Sequence, residues 1–178
     1  MDNRQYSFSE GPKFLGEYFA FSLPKGTKES DPIVDELRQQ VRSGHVSYPC
    51  SFAKNIVPTT GLNLLTRALA DDATYDPALD WGAIGNGVSP SFTLASTTLS
   101  SEQYRKQASS LAFDDNIVYA DFFYASGDLA DGDYTEFGVF NADGSAAADS
   151  GRAWSLVAFD YTKSGSLYIS GRWTLTNA

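Results

Sequence analysis

The stretch Trp81–Ala125 reads WGAIGNGVSPSFTLASTTLSSEQYRKQASSLAFDDNIVYADFFYA. A short apolar strand, Trp81–Ile84, runs into a Gly85-Asn86-Gly87 turn, whose glycines are expected to serve a tight turn at positive φ. A long Ser/Thr-rich loop follows, and Ser89–Ser100 is expected to form a displayed surface. Strands are then predicted at Gln103–Ala108, Ser110–Phe113 and Ile117–Tyr124. In the last of these, Val118, Ala120, Phe122 and Tyr124 alternate with Ile117, Tyr119, Asp121 and Phe123. The first set is almost wholly apolar and is expected to face inward, while Asp121 marks the other face as at least partly wet.

Working outward, the same period of two continues through Tyr134–Phe140, Ala153–Tyr161 and Ser166–Leu175. Turns are expected at Asp114-Asp115-Asn116, Ala142-Asp143-Gly144 and Ser164-Gly165. Strands at this spacing predict a mostly β fold, an antiparallel β-sandwich with one or two short helices and an extended N-terminal segment. On the N-terminal side, Ser30 or Asp31 caps and Pro32 opens a helix over 31–43, with Ile33, Val34, Leu37 and Val41 on one stripe and Gly44 at its stop. Thr60 is expected to cap a second helix, Gly61–Ala70, with Leu62, Leu65 and Leu69 on one face. Pro49–Pro58 reads as a connector or edge strand, and Glu17–Leu23 as one short strand. The expected division is an N-terminal assembly segment, 1–50, and a sandwich domain, 51–178. Removing the first is expected to leave a soluble domain that no longer assembles.

The composition narrows the function. A net charge of -9 over 178 residues disfavours a nucleic-acid partner, which needs a basic face, and an anionic membrane surface. No apolar run has signal-peptide or membrane-span length, so synthesis in the cytoplasm is expected. Cys50 is the only cysteine and is read as an inert thiol. His45 is the only histidine and is read as solvated after a helix end, which leaves a Ser or Cys triad without a placed base and a zinc site without ligands.

Asp128, Asp131, Asp133 and Glu136 offer hard oxygen ligands at short spacing, but not the EF-hand spacing, and read as a solvated acidic hairpin. Carboxylate pairs such as Asp114-Asp115 and Asp71-Asp72 fall in turns, where Asp is common for backbone reasons. No enzyme, cofactor or metal is therefore expected. Arg105 and Glu136 each fall in a predicted strand and are expected to pair across neighbours, fixing register.

The residues from Gly61 to Phe140 resemble a module common in tailed-phage structural genes. The order is Gly61-Leu62-Asn63-Leu64-Leu65, Ile84-Gly85-Asn86-Gly87, Thr98-Leu99 with Glu102 and Arg105-Lys106, Val118 to Phe123, and Glu136-Phe137-Gly138-Val139-Phe140. Phe137 departs from the pattern, which often has a small residue there. The resemblance implies a virion component, a tail-fibre, baseplate, adaptor or head-decoration protein, assembled in the host cytoplasm. It implies no catalytic residues. The expected partners are identical copies, in a trimer or hexamer, and other virion proteins. Phe14, Tyr18, Phe19 and Phe21, with Ile33, Leu37 and Val41, are the expected contact residues. The rival expectation is a carbohydrate- or receptor-binding module, with Trp81, Tyr104, Tyr124 and Tyr134 stacking on sugar faces. A polysaccharide hydrolase is a third.

Overall fold

The strand read at 117–124 lies inside a five-stranded antiparallel sheet in the structure, a computed structural model that describes residues 13–176. Along the chain the elements are β1 (Lys13–Leu23), α1 (Pro32–Ser43), β2 (Ser51–Lys54), α2 (Thr59–Leu69), β3 (Leu79–Gly85), β4 (Glu102–Gln107), β5 (Ser110–Asp114), β6 (Ile117–Tyr124), β7 (Gly132–Asn141), β8 (Ala153–Lys163) and β9 (Ser166–Thr176). One sheet has the order β2-β1-β9-β6-β5 and the other β4-β3-β7-β8. The two pack face to face as the sandwich the period-two pattern predicts.

The core lies between the sheets. Ala120, Phe122 and Tyr124 of β6 meet Phe137 and Val139 of β7, with Trp173 of β9 beside them. Phe122 and Phe137 pack edge to face at 5.5 Å between ring centroids. Each such fully buried ring contributes on the order of 1.5–3 kcal/mol. Val118, the fourth inward residue, is only partly buried, because the sandwich opens at that end.

A second layer lies on the outside of the five-stranded sheet. Val34, Leu37 and Val41 of α1 pack on Phe21, Tyr119, Phe123 and Tyr168. The helix stops as expected at Gly44, whose φ of 73° is the left-handed conformation glycine adopts without strain. Its start differs in detail. Asp31 is the N-cap by position but makes no side-chain cap; its carboxylate instead accepts the Lys28 N–H at 2.9 Å.

This layer corrects two expectations. Asp121 is 1% exposed rather than wet, because α1 covers it. Its carboxylate accepts from Tyr168 Oη at 2.9 Å, Ser170 Oγ at 2.7 Å and Arg38 Nε at 3.0 Å, with Arg42 at 3.4 Å. The division at residue 50 also falls through a sheet. β1 pairs with β9 from Lys13 opposite Thr176 to Leu23 opposite Ser166, and β2 closes its other side. The N-terminal residues described are part of the sandwich, not an arm beside it.

α2 differs from its sequence reading as well. Pro58 takes the N-cap position, and the Thr60 hydroxyl donates to the Ala153 carbonyl at 3.0 Å, tying the helix to β8. Gly61 and Leu64 are the buried face, and a Cβ on Gly61 would lie 2.5 Å from the Trp154 carbonyl oxygen. Of the expected Leu62/Leu65/Leu69 face, Leu65 is partly buried against the core while Leu62 and Leu69 are exposed.

Candidate functional site

Two loops are fastened to the sandwich by buried charges. Glu136 has no exposed surface, and its carboxylate accepts the backbone N–H groups of Ser101 at 2.6 Å, Ser100 at 2.8 Å and Gly87 at 3.3 Å. A carboxylate taking several backbone donors replaces the water it lost on burial. The loop so held lies on the outer face of the four-stranded sheet, where Leu99 and partly buried Phe92 pack with Phe140 and Leu156. Val88 and Leu94 remain exposed, so the Ser/Thr-rich loop is part cover and part surface.

The glycines of Gly85-Asn86-Gly87 have a different reason from the one expected. Neither has positive φ. A Cβ on Gly85 would fall on the Glu136 carboxylate, and one on Gly87 would lie 2.8 Å from Ser100 Cβ. They leave room for the buried acid. Gly85 and Gly87 thus both lie against the Glu136 side chain.

Arg105 and Glu136 are not paired. Arg105 forks onto Glu102, Nε to Oε1 and Nη2 to Oε2 both at 2.7 Å, and its Nη1 donates to the Ser150 carbonyl at 2.6 Å. Both side chains of this pair are buried, and the guanidinium lies 4.5 Å from the Phe140 ring centroid. The pair holds the turn after β7 rather than the strand register. Sequence reading missed Glu102 as the partner because two acids were within strand reach and only the packing distinguishes them.

The acidic residues read as possible calcium ligands are engaged separately. Asp128 meets Lys106 at 2.7 Å, Asp131 meets Lys163 at 3.1 Å and Asp133 accepts the Thr162 hydroxyl at 2.6 Å. Among the described residues, no three His, Cys, Asp or Glu side chains gather as a metal-binding group. His45 is exposed, and burial raises the Cys50 thiol above its ordinary value. No helix of the described residues is long and apolar enough to cross a membrane.

The expected contact residues are largely spent within the chain. Tyr18 is buried between the sheets, its hydroxyl donating to Ser155 Oγ at 2.9 Å. Phe21, Leu37 and Val41 are buried under α1, with Ile33 and Phe19 partly buried at that cluster. The side chain of Phe14 lies outside the described residues. The expected sugar-stacking rings do not form a platform either. Tyr124 and Tyr134 are buried, and Trp81 and Tyr104 are partly buried against the clusters.

The exposed apolar surface lies elsewhere, at the open end of the sandwich. Phe113 of β5 stands opposite Val118 of β6, which stands opposite Trp173 of β9. Along that row exposure falls from 84% at Phe113 to 1% at Trp173. Leu111, 51% exposed, is two residues along on the same face of β5, and β5 is the last strand of its sheet. A cleft of about 400 Å³ opens beside the row, lined mainly by Val118, Trp173, Leu175, Trp154, Leu65 and Leu79. Leu62 and Leu69, on the same helix face as Leu65, are exposed as well. An apolar strip beside an unpaired strand edge is the kind of surface a soluble protein covers with another chain.

No known protein family, curated protein or solved structure matches the chain.

Proposed function

We propose that the protein is a structural subunit of a bacteriophage particle, tail- or fibre-associated, that works by joining identical copies and docking on other virion proteins. The observation that carries this reading is the open end of the sandwich, where Leu111 and Phe113 are exposed on the terminal strand beside an apolar cleft. The second copy is the occupant this surface suits first. β5 offers free backbone groups for strand pairing, and its inward face continues into apolar lining.

The phage setting rests on the order of motifs from Gly61 to Phe140. Within that order, Gly85, Gly87 and Glu136 form one loop anchor. The buried charges are spent on fastening loops, as a display scaffold requires. The test is the protein content of purified phage particles from a lysate of the host that carries this gene. The chain is expected in the particles at a fixed multiple of three copies. Recovery only in the particle-free lysate overturns the virion assignment.

A further inference from the structure

Asn141 is fully buried, and it places two opposite charges at one cleft. Its Nδ2 donates to Asp143 Oδ2 at 2.7 Å, and its Oδ1 accepts the Arg152 N–H at 2.7 Å. The Asp76 N–H fixes the Asp143 carboxylate further, at 3.1 and 3.2 Å to its two oxygens. Asp143 and Arg152 line the same cleft, of about 570 Å³, yet no ion pair joins them. Among the described residues, Arg152 is the arginine with no carboxylate within ion-pair distance, in a chain of net charge -9. Its guanidinium is held instead against the Tyr75 ring, 3.7 Å from the centroid, and the Arg67 guanidinium lies 5.2 Å from the same centroid. Between the two arginines, with Thr60 and Asn63, is a smaller recess of about 80 Å³.

We propose that this cleft binds an acidic sugar of a surface polysaccharide. The sugar carboxylate pairs with the Arg152 guanidinium, and ring hydroxyls donate to the Asp143 carboxylate. A stacked arginine keeps its planar fork of donors at the ring edge, which matches a carboxylate in two-point contact. Asp143 selects the class. It repels a phosphate dianion but accepts from the hydroxyl groups a uronic or sialic acid carries next to its single charge. The cleft volume falls within the range of small-molecule sites. Both groups are held in place, Arg152 by its N–H on Asn141 and its guanidinium on Tyr75, and Asp143 by Asn141 and the Asp76 N–H. This inference does not rest on the assembly reading: a subunit that assembles and ignores acidic sugars overturns it alone.

The test is an NMR titration of the isotope-labelled full chain with tetragalacturonate, an oligoglucuronate and a sialyl trisaccharide, against a neutral glucan tetramer and inorganic phosphate. At least one acidic sugar is expected to shift signals of residues 60–75 and 141–153, and the neutral glucan none. Arg152→Gln is expected to weaken that binding by roughly tenfold or more, the scale of one charge-assisted contact. Arg152→Lys, which keeps the charge and stem and guards against misfolding of the first variant, is expected to weaken it too. Asp143→Asn is expected to narrow the preference over phosphate. No response to any acidic sugar, equal response to phosphate, or unchanged binding in both Arg152 variants overturns the proposal.

Discussion

Glu136 accepts the Ser101 N–H at 2.6 Å across a separation of 35 residues, from a carboxylate with no exposed surface. Strand β7 and the end of the 86–101 loop are thereby one unit, although no ladder joins them. Glu136→Ala would remove the one acceptor shared by three backbone donors, of which the Gly87 N–H is buried. The expected loss is about 3 kcal/mol by urea unfolding, while Glu136→Gln, which keeps one acceptor oxygen, should lose less. An alanine variant as stable as the parent shows that water reaches these amides freely.

Much of the fold was legible because period-two patterning survives wherever one strand face is buried. β6 shows the rule and its limit. Its apolar set points between the sheets as read, but polarity alone marks the Asp121 face as at least partly wet, and that face is covered. Nothing local to Asp121 reveals that Arg38 and Arg42, about eighty residues earlier, cover it. The anchors were less legible for the same reason. Arg105 was matched to the wrong acid, and the Gly85-Asn86-Gly87 glycines were given a conformational reason when the reason is space for Glu136. The open apolar end left no sequence signal, since the strand pattern at Ser110–Phe113 does not reveal that the four-stranded facing sheet leaves Leu111 and Phe113 exposed.

Residues 51–178 alone are not expected to fold. The missing part carries β1, which lies between β2 and β9, and α1, whose Arg38 pairs with Asp121. Without them Asp121 loses its arginine partners, and the apolar residues Tyr168 and Phe123 lose their cover. Far-ultraviolet circular dichroism and a dispersed NMR spectrum check this. A well-dispersed spectrum from the fragment contradicts the account of the sheet and restores the division at residue 50.

Asp128 predicts the acid limb of the stability curve. Partial burial pushes its carboxyl up, but the Lys106 ammonium at 2.7 Å and the Ala125 N–H at 3.0 Å outweigh this and hold it below the ordinary carboxylate value. A folded pKa below the unfolded one gives stability that is present above the unfolded value, about 3.9, and lost as pH falls through the folded value. Asp128→Asn should therefore lower stability at neutral pH and flatten its decline below about pH 4. Parallel curves for parent and variant would mean that the Lys106 contact contributes nothing in solution.

The most direct test of the assembly claim is native mass by light scattering, measured for the full chain and for Phe113→Asp. Phe113 is 84% exposed, so the substitution should leave the fold intact and place a charge in the apolar strip. The account predicts an oligomer, a trimer or hexamer, that falls to monomer in the variant with an unchanged circular dichroism spectrum. An oligomer of the same mass in both would contradict the docking surface described here, and a monomer in both would contradict self-assembly of the chain.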